Sequence, residues 1–440
     1  DLVGISTTTS TAPEAYRLAD KARAAGVPVM LGGSHVTFMA DEALQHADYC
    51  VRGEGEQTLV ELLDSIESGS EPVGIKGLSY RQGDKIIHNP DRELICDLNS
   101  IPYPDFSLVQ NAERISLIPV ATSRGCPFGC NFCSVTRMFG QGYRFRSVDN
   151  VIEELRQHSL SRALSQSKVF FYDDNFAANR AHTKRLLDKM LSTGNTPNWT
   201  AQVRTDVVRD KELLKLMRKS NCYYVYVGLE SVNQATLEEF NKRQRVEEIV
   251  ESISILHEHG IMVHGMFIIG ADNDTSRTIQ DTVNFALKNK IDTVQMVALT
   301  PLPGTPVFKK MEEDDRLLTR DWSLYDGLHV VYQPKNMTPY DMQKGMVLAT
   351  KRFYSLYQSV KILINPGFAA FLFNLLIGRW RTAKSQARMR LLGWFYRTYG
   401  HFLARRFAKA NKDFAEKIKH LTDGARDLTH PKHPSMEGSD

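Results

Sequence analysis

The sequence predicts an α/β protein. A short parallel sheet comes first, a partial (β/α)6 TIM-like barrel follows after a connector, and a mainly helical extension closes the chain. Three observations predict this. Over the first seventy residues short apolar runs alternate with helical periodicity, the signature of parallel strands joined by helical crossovers. From residue 117 six further strand-like runs recur with helical patterns between them within roughly 190 residues, which suits an open barrel better than a second Rossmann-like sheet. Finally, 42% hydrophobic and 24% charged residues over 440 positions exclude wholesale disorder, a collagen-like repeat and a polytopic membrane protein.

The first unit, residues 1–70, carries apolar strands at 2–6, 27–31 and 49–51 and helices at 13–25 and 58–66. Ligands on such sheets sit at the carboxyl ends of the strands, and there the sequence places Ser6-Thr7-Thr8, Gly32-Gly33 and Gly53-Glu54-Gly55-Glu56. The chain opens on Asp-Leu-Val-Gly-Ile-Ser, a buried-strand pattern without an initiating Met, and is expected to be part of a longer protein. Residues 71–116 read as a connector, with a hairpin at Gln82-Gly83-Asp84 and a proline-set linker at 101–106. The barrel, 117–310, has strands expected at 117–122, 168–172, 198–203, 223–228, 262–269 and 294–299. Its helices are expected near 149–158, 181–192, 210–219, 246–259 and 276–289. Function in such a barrel lies on the loops that follow the strands. Residues 311–440 form the helical extension, in which Trp322 to Tyr325, Tyr332 and 351–357 either cap the barrel mouth or pack in a core.

Directly after the first barrel strand stands Ser123-Arg-Gly-Cys126-Pro-Phe-Gly-Cys130-Asn-Phe-Cys133. Three of the six cysteines are crowded into eight residues, which points to a soft metal centre in a reducing compartment rather than to disulfides. Zinc would want a fourth Cys or His at compatible spacing, and none follows nearby. A cubane iron–sulfur cluster ordinarily takes four thiolates, so three leave one iron open to a substrate or cofactor. The alternatives are three buried structural cysteines or a zinc site completed from elsewhere. Cys50, Cys96 and Cys222 read as core thiols, and His35 as structural or solvent-facing.

The Cys-x3-Cys-x-aromatic-Cys pattern of Cys126, Cys130, Phe132 and Cys133 resembles the signature of the radical S-adenosylmethionine enzymes. The resemblance implies a 4Fe–4S cluster on the three cysteines, whose open iron binds S-adenosylmethionine. Reductive cleavage then gives methionine and a 5′-deoxyadenosyl radical that abstracts hydrogen from substrate. It also implies cofactor contacts at successive strand ends. These are Phe132 in the cysteine loop, Tyr172, Asp173 and Asp174 after the second strand, and Gln202 and Arg204 after the third. Glu230 follows the fourth, Gly270 the fifth and Leu299 the sixth. Arg204 suits a carboxylate, which a guanidinium binds through two hydrogen bonds. Taken singly, Asp173 and Asp174 could instead cap a helix, and Arg204 and Asp206 could be a surface pair.

Residues 1–68 resemble the second half of the cobalamin-binding domain fused to some radical S-adenosylmethionine enzymes, through Val3-Gly-Ile-Ser6-x-Thr8, Leu31-Gly32-Gly33-x-His35-x-Thr37 and Val51-Arg52-Gly53-Glu54-Gly55-Glu56. That resemblance implies cobalamin contacts from Ser6, Thr8, Gly32, Gly33, Gly53 and Glu54. The family's Asp-x-His-x-x-Gly loop would precede residue 1. Thr300-Pro-Leu-Pro-Gly-Thr-Pro306 is similar to a stretch in cobalamin-linked relatives such as the magnesium-protoporphyrin ester cyclase and the hopanoid methylases. Methyl transfer to an unactivated carbon is the implied chemistry. Oxidative cyclisation or rearrangement is the alternative, and a non-catalytic cobalamin or iron–sulfur module a third reading. The implied electron donor is of flavodoxin or ferredoxin type.

The net charge of +4 conceals an asymmetry. Residues 361–412 hold eleven Lys or Arg and no Asp or Glu, leaving 44 basic against 51 acidic residues elsewhere. The apolar run 362–377, broken by Asn365, Pro366, Gly367 and Asn374, is shorter than the roughly 20 residues a spanning helix needs. With Trp380, Trp394, Phe395 and Tyr396 among the following basic residues, the segment suits an interfacial helix on anionic lipid. A solvated basic helix packed on the acidic body is the plain alternative, and a nucleic-acid patch the disfavoured one. These features predict a cytoplasmic protein, peripheral on the inner face of the membrane, acting on a small hydrophobic molecule such as a lipid or isoprenoid.

Overall fold

The structure, a computed structural model, describes residues 1–160, 167–364, 367–377 and 380–422. Strands β1 (Val3–Ser6), β2 (Val29–Gly32) and β3 (Tyr49–Val51) run parallel, and β4 (Leu78–Gln82) and β5 (Lys85–His88) continue the same sheet antiparallel. The hairpin is where Gln82-Gly83-Asp84 puts it, but it is not connector. Cys50 pairs with Ser79 and Val51 with Leu78, so the first sheet runs on to His88. The hairpin covers an edge of β3 that would otherwise leave its backbone groups unpaired.

The barrel strands are β6 (Leu117–Val120), β9 (Lys168–Phe171), β10 (Trp199–Val203), β11 (Cys222–Glu230), β12 (Met262–Ile269) and β13 (Thr293–Ala298). Each pairs in parallel with the next, and among the described residues β6 and β13 do not meet, so the barrel is open. Pro119 lies in β6, an edge strand, where a missing N–H costs no ladder bond. Between β6 and β9 the two-residue strands β7 (Ser123–Arg124) and β8 (Arg144–Phe145) form a separate antiparallel ribbon around the cysteine segment. Helices at Val148–Leu160, Arg180–Ser192, Lys211–Lys219, Val246–Glu258 and Ser276–Lys288 lie within about two residues of expectation. Their apolar stripes meet the outward side chains of the strands in one core that includes Val169, Trp199, Val225, Val263 and Ile279.

The aromatic extension divides among three places, one of them the cluster of Phe240, Ile268 and Leu299 at the end of β12, where buried Tyr332 donates to Gly270 O. Trp322 and Tyr325, with Phe308 and Val331, complete the core of the first sheet's helical layer. Trp322 Nε1 donates to Glu42 Oε1 at 2.7 Å. Tyr354 packs at the opposite end of the barrel, where its hydroxyl donates to Val294 O (2.7 Å) and accepts from Val294 N (2.9 Å). Tyr325 also lines the cavity at the end of β13 with Leu299 and Thr300, so part of the extension does reach the barrel mouth. The C-terminal helices Trp380–Ala410 and Lys412–Thr422 pack on the Pro339–Phe353 helix, Trp380–Ala410 also meets β13, and Leu356–Ile364 packs against Trp380–Ala410. Buried Arg397 donates to Ile291 O, Asp292 O and Phe353 O. Asn365, Pro366, Arg379 and residues 423–440 of the expected extension lie outside the described residues.

Candidate functional site

The cysteine loop runs from β7 to the short helix Val135–Phe139 with no regular structure, and Cys126, Cys130 and Cys133 are each half-buried. Gly125 enters it at φ +90°, where a Cβ would stand 2.1 Å from Gly142 O, so no other residue fits that turn. Outside contacts pin the loop: Asn241 Nδ2 donates to Gly129 O (3.0 Å), and Asn131 Nδ2 to Glu239 O (2.7 Å). Burial pushes the Cys133 thiol up to about 12, and the charges of Cys130, Asp174 and Cys126 add to it. Burial also raises Cys130, against the cations of Lys242 and Arg204. Cations thus face Cys130, while Asp174 lies on the Cys133 side of the loop. Among the described residues no three such side chains converge on a single ion. The donor set suits a multi-iron cluster, in which each thiolate binds a different metal.

The expected strand-end residues separate into groups. The carboxylate of Asp173, expected to position S-adenosylmethionine, is fully buried. Its Oδ1 accepts from Thr122 N (3.0 Å), Thr122 Oγ1 (2.8 Å) and Ser123 Oγ (2.6 Å), so it anchors the start of the cysteine segment, while Oδ2 takes only the shared Thr122 N–H at 3.2 Å. Asp174 lines the same cavity as Asp173 and is held up to about 6 by burial and by Asp173 beside it. Tyr172 is 49% exposed at the mouth. Glu230, in a left-handed conformation at φ +60°, pairs with Lys242 Nζ at 2.5 Å. Arg204 stacks 3.8 Å from the centre of the Phe128 ring, a residue of the cysteine loop, and donates to Lys242 O at 2.9 Å. Half-buried Gln202 is one turn of the pleat below it. At Gly270 the N–H is taken by Asp274 Oδ2 (2.9 Å) and the carbonyl accepts from the Tyr332 hydroxyl, so of its backbone groups only the second lone pair of that carbonyl is left for a base. Phe132, edge-on to Phe240 at 4.9 Å, and Leu299 line a 460 Å³ cavity with Ile268, Val297 and Thr300.

Sequence reasoning missed the segment that holds this site together. Asn241, Lys242 and Arg243 follow Phe240, and Asn241 and Arg243 both have left-handed backbones, at φ 53° and 49°. Strained non-glycine residues of this kind cluster at functional sites. The sequence offers only the basic run Lys242-Arg243-Gln244-Arg245, and nothing in it says that Lys242 meets Glu230.

A second cavity of 600 Å³ lies between the two sheets. Ser6, Gly32, Gly33, Gly53 and Glu54 line it from the carboxyl ends of β1–β3, and Arg124, Ser134, Met138, Tyr172, Asp173 and Asp174 from the barrel. Gly33, at φ +98°, lets the backbone pass where a Cβ would meet Thr7 O at 2.4 Å. Thr8 belongs instead to the 460 Å³ cavity. Glu54, expected to touch cobalamin, spends its carboxylate on Arg124, Arg144 and the Ile95 N–H. His35 is buried, with Nδ1 3.3 Å from Thr9 Oγ1 and its ring edge-on to Trp322, a structural histidine. Cys50 and Cys222 are buried core thiols, whereas Cys96 is exposed.

Comparison with known proteins agrees with this architecture. Residues 120–286 match the Radical SAM superfamily and residues 1–63 the B12 binding domain. The chain is 34% identical over 377 residues to an uncharacterized methyltransferase of Pyrococcus horikoshii, covering 84% of this chain and 81% of that protein. It is 31% identical over 359 residues to the bacteriochlorophyllide d C-12(1)-methyltransferase of Chlorobaculum tepidum, covering 80% and 75%. The fold of OxsB, a cobalamin-dependent S-adenosylmethionine radical enzyme solved with aqua-cobalamin bound, superposes with a TM-score of 0.67 at 13% identity, over 97% of this chain and 68% of that one. The protein belongs to the radical S-adenosylmethionine superfamily, in the class whose barrel follows a B12-binding domain. It is a radical S-adenosylmethionine enzyme, and its cofactors are a 4Fe–4S cluster, S-adenosylmethionine and cobalamin. No described helix is long and apolar enough to cross a membrane.

Proposed function

We propose that the protein transfers a methyl group to an unactivated carbon of a hydrophobic small molecule. The observation that carries this reading is the 600 Å³ cavity, because the residues that would hold a corrinoid and those of the cysteine-bearing segment wall the same space. When bound, the cluster and S-adenosylmethionine supply a radical that removes hydrogen from substrate, and cobalamin supplies the methyl group. Cys126, Cys130 and Cys133 would hold the cluster. Phe132, Leu299, Gln202, Arg204, Asp174 and the Glu230–Lys242 pair would hold S-adenosylmethionine. Arg204 is already fixed by stacking and keeps N–H groups for a carboxylate, and Asp174 offers a carboxylate to an ammonium group. Ser6, Gly32, Gly33 and Gly53 would receive the corrinoid.

The barrel interior supports a hydrophobic substrate. Phe170, Gln202, Tyr226, His264 and Met266 share the inward face, the Tyr226 ring lying 5.5 Å from Phe170 and 4.9 Å from His264. None of the five is charged, since burial pulls His264 down to about 4. An ionised substrate would meet no counter-charge there, whereas an apolar one displaces water and shields a radical from side reactions. A lipid or isoprenoid fits this lining. We further infer peripheral contact with an anionic membrane through the C-terminal helices, and a flavodoxin- or ferredoxin-type electron donor.

The test is anaerobic reconstitution with iron, sulfide and hydroxocobalamin, followed by S-adenosylmethionine and dithionite. Formation of both 5′-deoxyadenosine and S-adenosylhomocysteine is expected. 5′-Deoxyadenosine alone would move the assignment to oxidative cyclisation or rearrangement. In the same assay Cys130→Ala should give a folded protein without a reducible cluster and with neither product. Retained cluster and activity in that variant would remove Cys130 from the ligand set.

A further inference from the structure

We propose that Glu54 is a positioning residue that lets the corrinoid cavity and the cysteine loop set one another's order. Strands β7 and β8 are the two ends of the segment that carries the three cysteines, and Arg124 and Arg144 stand directly opposite each other across them. Like charges at facing positions of an antiparallel ribbon repel. A ribbon of two residues per strand is held otherwise by Asp173 at Thr122 and Ser123 and by the Arg146 N–H on Thr122 O, and neither neutralises the two arginines. Here one carboxylate from the first domain bridges the pair. Glu54 Oε1 accepts from Arg124 Nη1 at 2.9 Å, and Oε2 from Arg144 Nη1 at 2.7 Å and from Ile95 N at 2.8 Å. Its side chain is 2% exposed, so no water replaces these donors. Arg144 also donates to Phe139 O (3.1 Å) and Ile95 O (2.7 Å), and Arg124 Nη2 to Glu56 Oε1 (2.5 Å).

The charge balance at the two ends of the cysteine segment therefore depends on a residue outside the barrel. That residue sits in the Gly53-Glu54-Gly55-Glu56 turn, and both Glu54 and Arg124 line the 600 Å³ cavity. A ligand that orders the turn orders the ribbon, and a cluster that orders the loop orders the turn. Coupling of this kind is reciprocal in free energy. The inference rests on the cofactor assignment above but not on methyl transfer.

The test measures hydroxocobalamin affinity by absorbance titration of the full chain, with and without the reconstituted cluster, together with iron content. The cluster should tighten hydroxocobalamin binding in the native protein by about fivefold or more. Glu54→Gln, which keeps the shape but leaves two facing guanidiniums, should load less iron and lose that difference. Glu54→Gln with Arg144→Gln removes the repulsion. It should recover iron content while the two affinities stay equal, which a merely structural role would not produce. Equal affinities in the native protein, no hydroxocobalamin bound, or a fully loaded Glu54→Gln that keeps the difference would each overturn the proposal. If Glu54→Gln alone does not fold, the double variant decides. Failure of that variant to fold, or a retained difference in it, also overturns the proposal. Intact coupling without methyl transfer would instead overturn only the proposed reaction.

Discussion

At the scale of single residues, His264 shows how the barrel interior is kept free of charge. Its Nδ1 lies 2.8 Å from Thr293 Oγ1 and 3.0 Å from the Tyr224 hydroxyl, so the ring is fixed inside the strands by neutral partners. Burial lowers its pKa to about 4, below the usual histidine range. Between pH 6.5 and 4 the unfolded chain binds a proton that the folded chain refuses, so stability is complete above pH 6.5 and falls as pH drops toward 4. The loss is on the order of 3 kcal/mol. His264→Gln should flatten the urea midpoint against pH over that interval. An unchanged slope would mean that His264 titrates as it does in water.

At the scale of elements, the helix Trp380–Ala410 is turned opposite to an ordinary surface helix. Gly393, Arg397, Gly400 and Ala404 recur at helical spacing and are buried against the body. Leu391, Trp394, Phe395, Tyr399, Phe402 and Leu403 form the exposed face, where polar residues would normally stand. Arg405, Arg406 and Lys409 are exposed at its end. An apolar stripe beside cations fits a bilayer interface with anionic headgroups. The protein should co-sediment with vesicles of roughly one part phosphatidylglycerol to three of phosphatidylcholine, and less so as salt rises. Replacing Leu391, Phe395 and Phe402 by Glu should abolish binding and leave the fold intact, since all three are exposed. If the native protein ignores these vesicles, the membrane reading is wrong.

At the scale of the whole molecule, the segment after the barrel returns to the first domain and ties the two together. Trp322 carries that junction, because its ring packs against His35, Phe308 and Tyr325 and its N–H satisfies Glu42. Trp322→Ala should cost about 3–5 kcal/mol from the cavity it leaves. The loss should appear as faster amide exchange in residues 3–51 while β9–β13 stay protected. Uniform acceleration along the chain would show instead that the two sheets unfold as one unit.

The fold was legible in the sequence because the strands and helices of both series carry strong periodicity. Cys126, Cys130 and Cys133 were legible for a different reason: their chemistry lies within eight consecutive residues. The hairpin at 78–88 was legible as a hairpin but not as an edge of the first sheet, because its partner strand lies about thirty residues earlier and pairing is not a local property.

Sequence by itself determined the order of the elements, the thiolate loop and the residue types at the strand ends. Tertiary structure alone decided what each strand-end group does with its hydrogen-bonding capacity. Asp173 and Asp174 are neighbours with the same side chain and both line the 600 Å³ cavity, yet one Asp173 oxygen is claimed by Thr122 and Ser123 whereas Asp174 has no such anchor among the described residues. Glu54 likewise stands where a ligand contact is expected, but two arginines from residues 124 and 144 claim it first. A carboxylate has few acceptor positions, and burial makes leaving any partner unpaired costly. Its role is therefore settled by whichever donors the fold brings within 3 Å, and those donors come from segments fifty to ninety residues away.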